Sequence, residues 1–238
     1  KGFIFMAVTV DIKELLQSGA HFGHTTSRWH PKMAPYLHSK RAGSHIIDLT
    51  KTVEALEIAL PQITKAVAGG KQILLVGTKR QAKELVKKAA EDTGMPYVVN
   101  RWVGGMLTNK TTMNDRIKHL QDLENKMASG ELADKYSKLE VQRFQEEIDA
   151  MNIQYGGIKD LRGKPGLVYV TDITMDHLAV KEAQRLGVPV IGVCDSNANP
   201  VGIDFPIPAN DDALKAVQIL LEYVVQAINE GKANLKQE

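Results

Sequence analysis

The chain has 238 residues, of which 43% are hydrophobic and 24% charged, which is the composition of an ordinary soluble protein with a sizeable core. Its formal net charge is only +2, so bulk charge does not predict a nucleic-acid partner. The single cysteine, Cys194, excludes an internal disulfide framework and a cysteine-cluster zinc site, and it favours a reducing, intracellular location. The apolar stretch at residues 219–228 is too short to span a bilayer, so no membrane partner is expected.

The first fifth of the chain contains an unusual cationic segment. Residues 1–5 precede Met6 and lack the features of a signal peptide, so we interpret them as an N-terminal extension. Asp11 begins a capping-box pattern, which predicts a short helix ending at Gly19. Between residues 15 and 47 there is no acidic residue, and within this span Pro31 and Pro35 predict a loop or loosely ordered arm at residues 21–40. The acid-free span, which we call the cationic arm, carries four cations and five histidines: Arg28, Lys32, Lys40, Arg41, His21, His24, His30, His38 and His45.

Strand and helix patterns then alternate. After a strand predicted at residues 44–47, apolar residues repeat every three or four positions from Val53 to Val67, which indicates one buried helical face, and Pro61 should bend or interrupt that helix. Residues 72–76 form a continuous apolar run typical of a buried parallel strand. A helix at residues 80–93 and a strand at 97–99 complete this half of the pattern.

Residues 101–109, which we call the joint loop, separate this pattern from a long charged helical segment. No acidic residue occurs from Thr93 to Asn114, while Arg101 and Lys110 lie at the two ends of the loop. Arginine can bind phosphate with two parallel hydrogen bonds, and Trp102 offers a stacking face, so the loop is suited to a polyanion. The alternative is a Gly-Gly turn around a buried tryptophan.

The second half of the chain predicts a projecting hairpin followed by a return to the α/β pattern. Heptad-like apolar spacing at residues 109–155 predicts two antiparallel coiled-coil helices joined by one short turn. We therefore divide the chain into residues 6–108 and 156–230 of one α/β domain, the hairpin insertion at 109–155 and a flexible tail at 231–238. The predicted fold class is α/β, a Rossmann-like doubly wound, mostly parallel sheet that carries the hairpin.

Two groups of residues are candidates for other chemistry. Lys79 and Arg80 follow a strand and open a helix, where a phosphate could bind, although no established phosphate-loop motif is present. Asp172 and Asp195 end later strands, where ligands of such sheets bind, but helix capping explains them equally well. His24 is a candidate metal ligand with Asp195 and Asp211 or Asp212, against the alternative of a packed or RNA-facing histidine.

Six motifs resemble the family of bacterial small-subunit ribosomal protein S2. In chain order they are LLQSGAHFGH (15–24), WHPKM (29–33), IIDL (46–49), VGTK (76–79), RWVGGMLTN (101–109) and NDDA (210–213). The resemblance implies a Rossmann-like sheet with a coiled-coil hairpin and a structural, non-enzymatic role in translation. It further implies binding of small-subunit ribosomal RNA at the junction of head and body, and docking of the OB-fold ribosomal protein S1.

Together these observations give a set of expected sites and partners. The RNA-binding candidates are Arg28, Trp29, Lys32, Lys40, Arg41, Lys79, Arg80, Arg101, Trp102, Asn109 and Lys110. Tyr36 is a further candidate for stacking. No cofactor is required, but His24, Asp195 and Asp212 are candidate ligands for zinc or magnesium. The expected location is cytoplasmic, in the ribosome, without homo-oligomers. The competing functions are a Rossmann-like nucleotide-binding enzyme that uses Lys79, Asp172 and Asp195, and a coiled-coil adaptor without nucleic acid.

Overall fold

A central parallel sheet organises the chain. A computed structural model describes residues 9–235, so the extension predicted at residues 1–5 lies outside the described residues. The sheet has the order β5-β4-β6-β7-β8, and every neighbouring pair is parallel. Its strands are β4 (Ile73–Val76), β5 (Tyr97–Val98), β6 (Leu167–Val170), β7 (Val190–Cys194) and β8 (Phe205–Pro208). Three of them are buried at every position, which explains their unbroken apolar sequence and confirms the predicted α/β class.

Helices cover both faces of the sheet. Ile73 and Leu75 of β4 face a core formed with α2 (Leu49–Ala68), α3 (Lys83–Thr93) and α8 (Leu214–Leu235). The alternate residues Leu74 and Val76 face a second core, formed with α7 (His177–Arg185), the joint loop and the base of the hairpin. This division follows from the two-residue period of a strand, and it places the joint loop against the second face.

The cationic arm is more regular than its sequence predicts. After α1 (Ile12–Ser18) it forms a three-stranded antiparallel sheet in the order β1-β3-β2. Its strands are β1 (Phe22–Thr25), β2 (Leu37–Arg41) and β3 (Ser44–Ile47), with a 3-10 turn at Pro31–Tyr36 between the first two. The prediction of a loop was therefore wrong, because Pro31 and Pro35 are confined to the turn and do not interrupt the strand ladders.

The helical insertion runs through α4 (Lys110–Ala128), α5 (Glu131–Lys135) and α6 (Lys138–Tyr155). Leu120 and Leu123 of α4 are buried together with Ile148 and Met151 of α6. The two hairpin helices α4 and α6 are joined by the short helix α5, not by the single turn that we predicted. Ser137 caps the N-terminus of α6 and forms a capping box with Glu140, so this helix begins at a defined residue.

The long helices α2 and α8 pack together along much of their length. Gly231 of α8 is buried, and a β-carbon at that position would lie 2.6 Å from the β-carbon of Val67 in α2. Helix α8 continues to Leu235, so the tail predicted from residue 231 begins too early. Helix α2 runs through the exposed Pro61 without a break, so this proline does not interrupt the helix. Within residues 9–235, no helix combines the length and the apolar character needed to span a membrane.

Candidate nucleic-acid interface and the carboxyl edge of the sheet

The carboxylate of Glu182 in α7 holds the joint loop. Its Oε1 accepts hydrogen bonds from Trp102 Nε1 at 3.0 Å and from the backbone N–H of Gly105 at 2.7 Å. Its Oε2 accepts from the backbone N–H of Leu107 at 3.0 Å, and from both the N–H and the hydroxyl of Thr108 at 3.1 Å. The loop thus forms an anion-binding cradle, and the anion in it is one of the chain's own side chains.

These contacts determine which residues of the joint loop remain available to a partner. Trp102 is 5% exposed and its N–H is used by Glu182, so the prediction that it stacks on a base was wrong and the alternative of a buried tryptophan was right. Arg101 and Lys110 are exposed at the two ends of the loop. Asn109 is exposed and caps α4, where its side chain accepts from the N–H of Thr112 at 3.4 Å.

Glu182 is stabilised in its ionised form. Burial opposes its charge, but the hydrogen bonds from Trp102 and from the backbone N–H groups outweigh burial and lower its pKa. The sequence gives one indirect signal of this role. Glu182 lies three residues after the buried Ala179 and immediately before the buried Ala183, on the inner border of an amphipathic helix.

The positively charged side chains of the cationic arm are exposed to solvent. The side chains of Arg28, Lys32, Lys40 and Arg41 are all exposed. Trp29 is half-buried, with its ring centroid 5.1 Å from that of the buried His45 and with Lys40 Nζ 5.8 Å from the ring. His45 therefore occupies part of the stacking surface of Trp29, while Lys40 adds a cation–π contact.

No arginine side chain forms an ion pair in the described part of the chain. All eight arginines of the sequence lie within residues 9–235, and no ion pair found there includes one. The ion pairs of this part of the molecule use lysine or histidine instead. Arginine is the side chain best suited to phosphate, so its exclusion from internal ion pairs leaves these groups available to an external polyanion.

Lys79, by contrast, forms ion pairs with carboxylates of the same chain. Its Nζ lies 2.7 Å from Asp211 Oδ1, 2.6 Å from Asp212 Oδ1 and 3.3 Å from Asp172 Oδ2. Burial opposes the lysine charge, but the bonds to Asp211 and Asp212 prevail and raise its pKa. The prediction of Lys79 as a phosphate-binding cation is therefore corrected, because three carboxylates already surround it. Arg80, the next residue, is exposed and unpaired among the described residues.

The loop after β4 is also closed to a nucleotide. The buried carboxylate of Asp176 accepts from the N–H of Thr78 at 3.1 Å and from its hydroxyl at 2.7 Å. Asp172 accepts from the N–H of Thr174 and also contacts Lys79. A phosphate at this edge would compete with both carboxylates for the same donors, and it would be repelled by their charge. Cys194 is buried, and burial raises the pKa of its thiol, so this cysteine is a packed, unreactive side chain.

His24 lies beside Asp195 and two of the carboxylates that also contact Lys79. Its Nδ1 is 3.1 Å from Asp195 Oδ1 and its Nε2 is 3.3 Å from Asp212 Oδ2. One ligand atom from each of His24, Asp195, Asp211 and Asp212 can be chosen so that all four lie within 4.8 Å of one another. One imidazole with carboxylate oxygens suits zinc better than magnesium, which prefers oxygen ligands and water. The arrangement fits a metal ion, although Lys79 competes for two of the carboxylates.

Comparison with known proteins identifies the family. The family model described as ribosomal protein S2 matches residues 15–231. The chain belongs to the ribosomal protein S2 family. It is 43% identical to small ribosomal subunit protein uS2 of Fusobacterium nucleatum, over 95% of this chain and 92% of that protein. It is 46% identical to the uS2 protein of Zymomonas mobilis, over 98% of this chain and 93% of that protein.

As a member of the S2 family, the chain is a structural component of the small ribosomal subunit with a role in translation. The family is not enzymatic, so the alternative of a Rossmann-like nucleotide-binding enzyme is corrected. The physical basis of that correction is the edge of the sheet after β4 and β6, where this S2 chain places its own lysine and aspartates in the positions that a nucleotide phosphate would need.

Proposed function

We propose that this chain binds small-subunit ribosomal RNA through its cationic arm and its joint loop, at the junction of the head and body of the subunit. The observation that carries the proposal is the set of exposed arginines that form no ion pair within residues 9–235, of which Arg28, Arg41 and Arg101 lie on these two segments. The family membership supports a ribosomal RNA partner, and the family resemblance is the basis for the location.

The chemistry of the two segments favours recognition of the RNA backbone. Arginine can donate two parallel hydrogen bonds to one phosphate, and a lysine such as Lys32 or Lys40 adds a point charge. Each phosphate that is neutralised releases condensed counterions, so binding should weaken steeply as salt is raised. The near-zero net charge does not oppose this, because many of the carboxylates are paired internally while these cations face solvent.

Replacing Arg28, Arg41 and Arg101 together by Ala should lower the slope of log affinity against log salt concentration by about 3, since each lost phosphate contact removes about one unit. The measurement is a salt titration of the full chain with small-subunit ribosomal RNA. A matched control replaces the exposed Lys65, Lys71 and Lys88 by Ala, which removes the same charge elsewhere. The proposal fails if the two triple variants have the same slope.

We further propose that protein S1 docks on an apolar groove beside α1. The groove is lined by Ile12, Leu16, Ile46 and Leu49, and Leu16 is 55% exposed. Phe22, in the adjacent strand β1, is 53% exposed. Exposed apolar residues grouped in this way are typical of a protein–protein contact. The identity of the occupant rests on the family resemblance, and the groove supplies a surface on which it can be tested.

Changing Leu16 or Phe22 to Asp should reduce the amount of S1 that remains on purified small subunits by tenfold or more, because a buried carboxylate without a partner opposes docking. Quantitative mass spectrometry of the subunits measures this ratio. Ile58→Asp, at a 61% exposed position of α2, is the control and should retain S1. Equal S1 content in all three variants would contradict the proposal.

We also propose that His24, Asp195 and Asp212, together with Asp211, can hold a zinc ion. The support is their mutual proximity and the mixed nitrogen and oxygen donor set. Zinc titration of the full chain by calorimetry should show one site, and Asp195→Asn should weaken it by about tenfold or more because one anionic ligand is lost. Asp204→Asn, which changes an exposed aspartate outside the cluster, should leave the affinity unchanged. Unaltered zinc affinity in Asp195→Asn would exclude this site.

A further inference from the structure

The exposed face of α7 carries two cations that the sequence patterns did not single out. Lys181 and Arg185 are exposed and lie one helical turn apart on the same side of the helix. No ion pair or side-chain hydrogen bond within residues 9–235 involves either of them. Like charges four residues apart slightly destabilise a helix, and neither side chain is paired with a carboxylate within the described chain.

The carboxylate next to this pair in sequence is engaged by the joint loop. Glu182 follows Lys181 directly, but both of its oxygens accept the five hydrogen bonds from the joint loop. The same bonds fix α7 against that loop, which places Lys181 and Arg185 on the helix that packs on it. Arg101, at the start of the loop, is exposed as well. The loop and the helix that holds it therefore carry three exposed cations, and the charge of Glu182 is balanced by the hydrogen-bond donors of the loop.

Helix capping accounts for only part of the position of Arg185. A cation near the end of a helix is commonly explained by its interaction with the last carbonyl groups, and Arg185 lies in the last turn of α7. The carbonyls that follow the helix bind Lys164, whose Nζ donates to the carbonyl of Leu186 at 2.6 Å and to that of Gly187 at 3.3 Å. Arg185 itself forms no side-chain hydrogen bond or ion pair within residues 9–235, so its guanidinium donors remain available to a partner.

The joint loop also exposes backbone without a side chain, at Gly104. Gly104 is exposed, its φ is outside the left-handed region, and a β-carbon built there would meet no atom within 4 Å. Neither backbone conformation nor internal packing therefore requires glycine at this position. A residue without a side chain permits close approach of another molecule's backbone.

From these observations we infer that Lys181, Arg185 and Arg101, with the open backbone at Gly104, form a second phosphate-binding face for ribosomal RNA. The inference rests on the proposed RNA-binding function and extends it from the arm to α7. The occupant is an RNA backbone because the face is cationic and offers arginine donors suited to phosphate.

The test is a salt titration of full-length variants with small-subunit ribosomal RNA. The double variant Lys181→Ala with Arg185→Ala should lower the salt slope by about 2, one unit for each lost phosphate contact. Lys87→Ala with Lys88→Ala, two exposed cations of α3, is the control and should leave the slope close to that of the wild type. Gly104→Leu should weaken binding by about tenfold while the thermal midpoint stays near the wild-type value, because its β-carbon meets nothing in the fold.

The possible outcomes separate this inference from the proposed function. If Arg28→Ala with Arg41→Ala flattens the slope but the α7 double variant does not, RNA binding stands and the α7 face is overturned. If neither double variant changes the slope, the proposed function itself fails. If the α7 double variant keeps the wild-type slope but is lost from assembled subunits, the face binds an acidic protein and the inference is also overturned.

Discussion

Replacing Glu182 by Ala is expected to lower the free energy of unfolding by about 3 kcal/mol, because several partly buried N–H groups lose the same charged acceptor at once. The affected donors are Trp102, Gly105, Leu107 and Thr108, which all bond to this one carboxylate. In a chain of this size, such a loss should lower the thermal midpoint by about 6 to 12 °C. Thermal unfolding followed by circular dichroism measures the change.

The effect should depend on pH in a defined direction. The pKa of Glu182 is lower in the fold than the ordinary value of 4.5. A carboxyl with a depressed pKa contributes its full stabilisation above the unfolded value, and it loses that stabilisation as pH falls through the folded value. The stability difference between the wild type and Glu182→Ala should therefore be largest near neutral pH and should shrink below about pH 4.

Two further measurements identify the cause of this destabilisation. Hydrogen exchange should accelerate at the amides of Gly105, Leu107 and Thr108 in Glu182→Ala before it changes in the central sheet. Glu57→Ala, which removes an exposed glutamate of α2, is the control and should alter stability by no more than about 0.5 kcal/mol. Indistinguishable midpoints for the two variants would show that Glu182 does not hold the loop.

Replacing Lys79 by Met should destabilise the fold by about 3 to 5 kcal/mol, the usual effect of removing one partner from a buried ion pair. The lysine is 15% exposed, and two of its three carboxylate partners, Asp172 and Asp211, are buried. Burial and the neighbouring carboxylates of Asp172 and Asp195 already raise the pKa of Asp211. Without the lysine, the mutual repulsion of these groups is no longer offset, and urea unfolding measures the loss.

A double variant tests whether charge is the cause. Lys79→Met combined with Asp211→Asn removes one positive and one negative charge together, so it should recover at least 1 kcal/mol relative to Lys79→Met alone. Lys65→Met, at an exposed position of α2, controls for the loss of a lysine and should be nearly neutral. A double variant less stable than Lys79→Met would mean that packing, not charge, dominates at this site.

Local patterns were sufficient to predict most of the architecture. The unbroken apolar run of β4 and the apolar stripe of α2 indicate buried elements without knowledge of their neighbours. The arm was predicted less well, because β2 is half-buried only at Leu37 and exposed at its other four positions, so it lacks the alternation that marks a strand. Proline in the adjacent turn then gave the stronger, misleading signal.

The internal hydrogen bonds and ion pairs of these two sites were beyond prediction from local patterns, because their partners are distant in sequence. Glu182 and Gly105 are separated by 77 positions, and Lys79 and Asp211 by 132. In the sequence, Lys79 and Arg80 are equivalent cations at the start of a helix. Only the fold shows that Lys79 is surrounded by carboxylates, while Arg80 is exposed and pairs with no carboxylate in the part of the chain that the structure describes. Cations available to RNA can therefore be identified only after the internal pairs are known.

The packing of α8 against α2 constrains the order in which parts of the chain can fold during translation. One face of the parallel sheet is covered jointly by α2, α3 and α8, and α8 comprises Leu214–Leu235. A nascent chain that has emerged only through β7 leaves the apolar surface of α2 exposed to water, although its cationic arm is already complete. Stable tertiary structure on that side must therefore await translation of the final helix, so early encounters between the arm and RNA would involve a partly unfolded polypeptide.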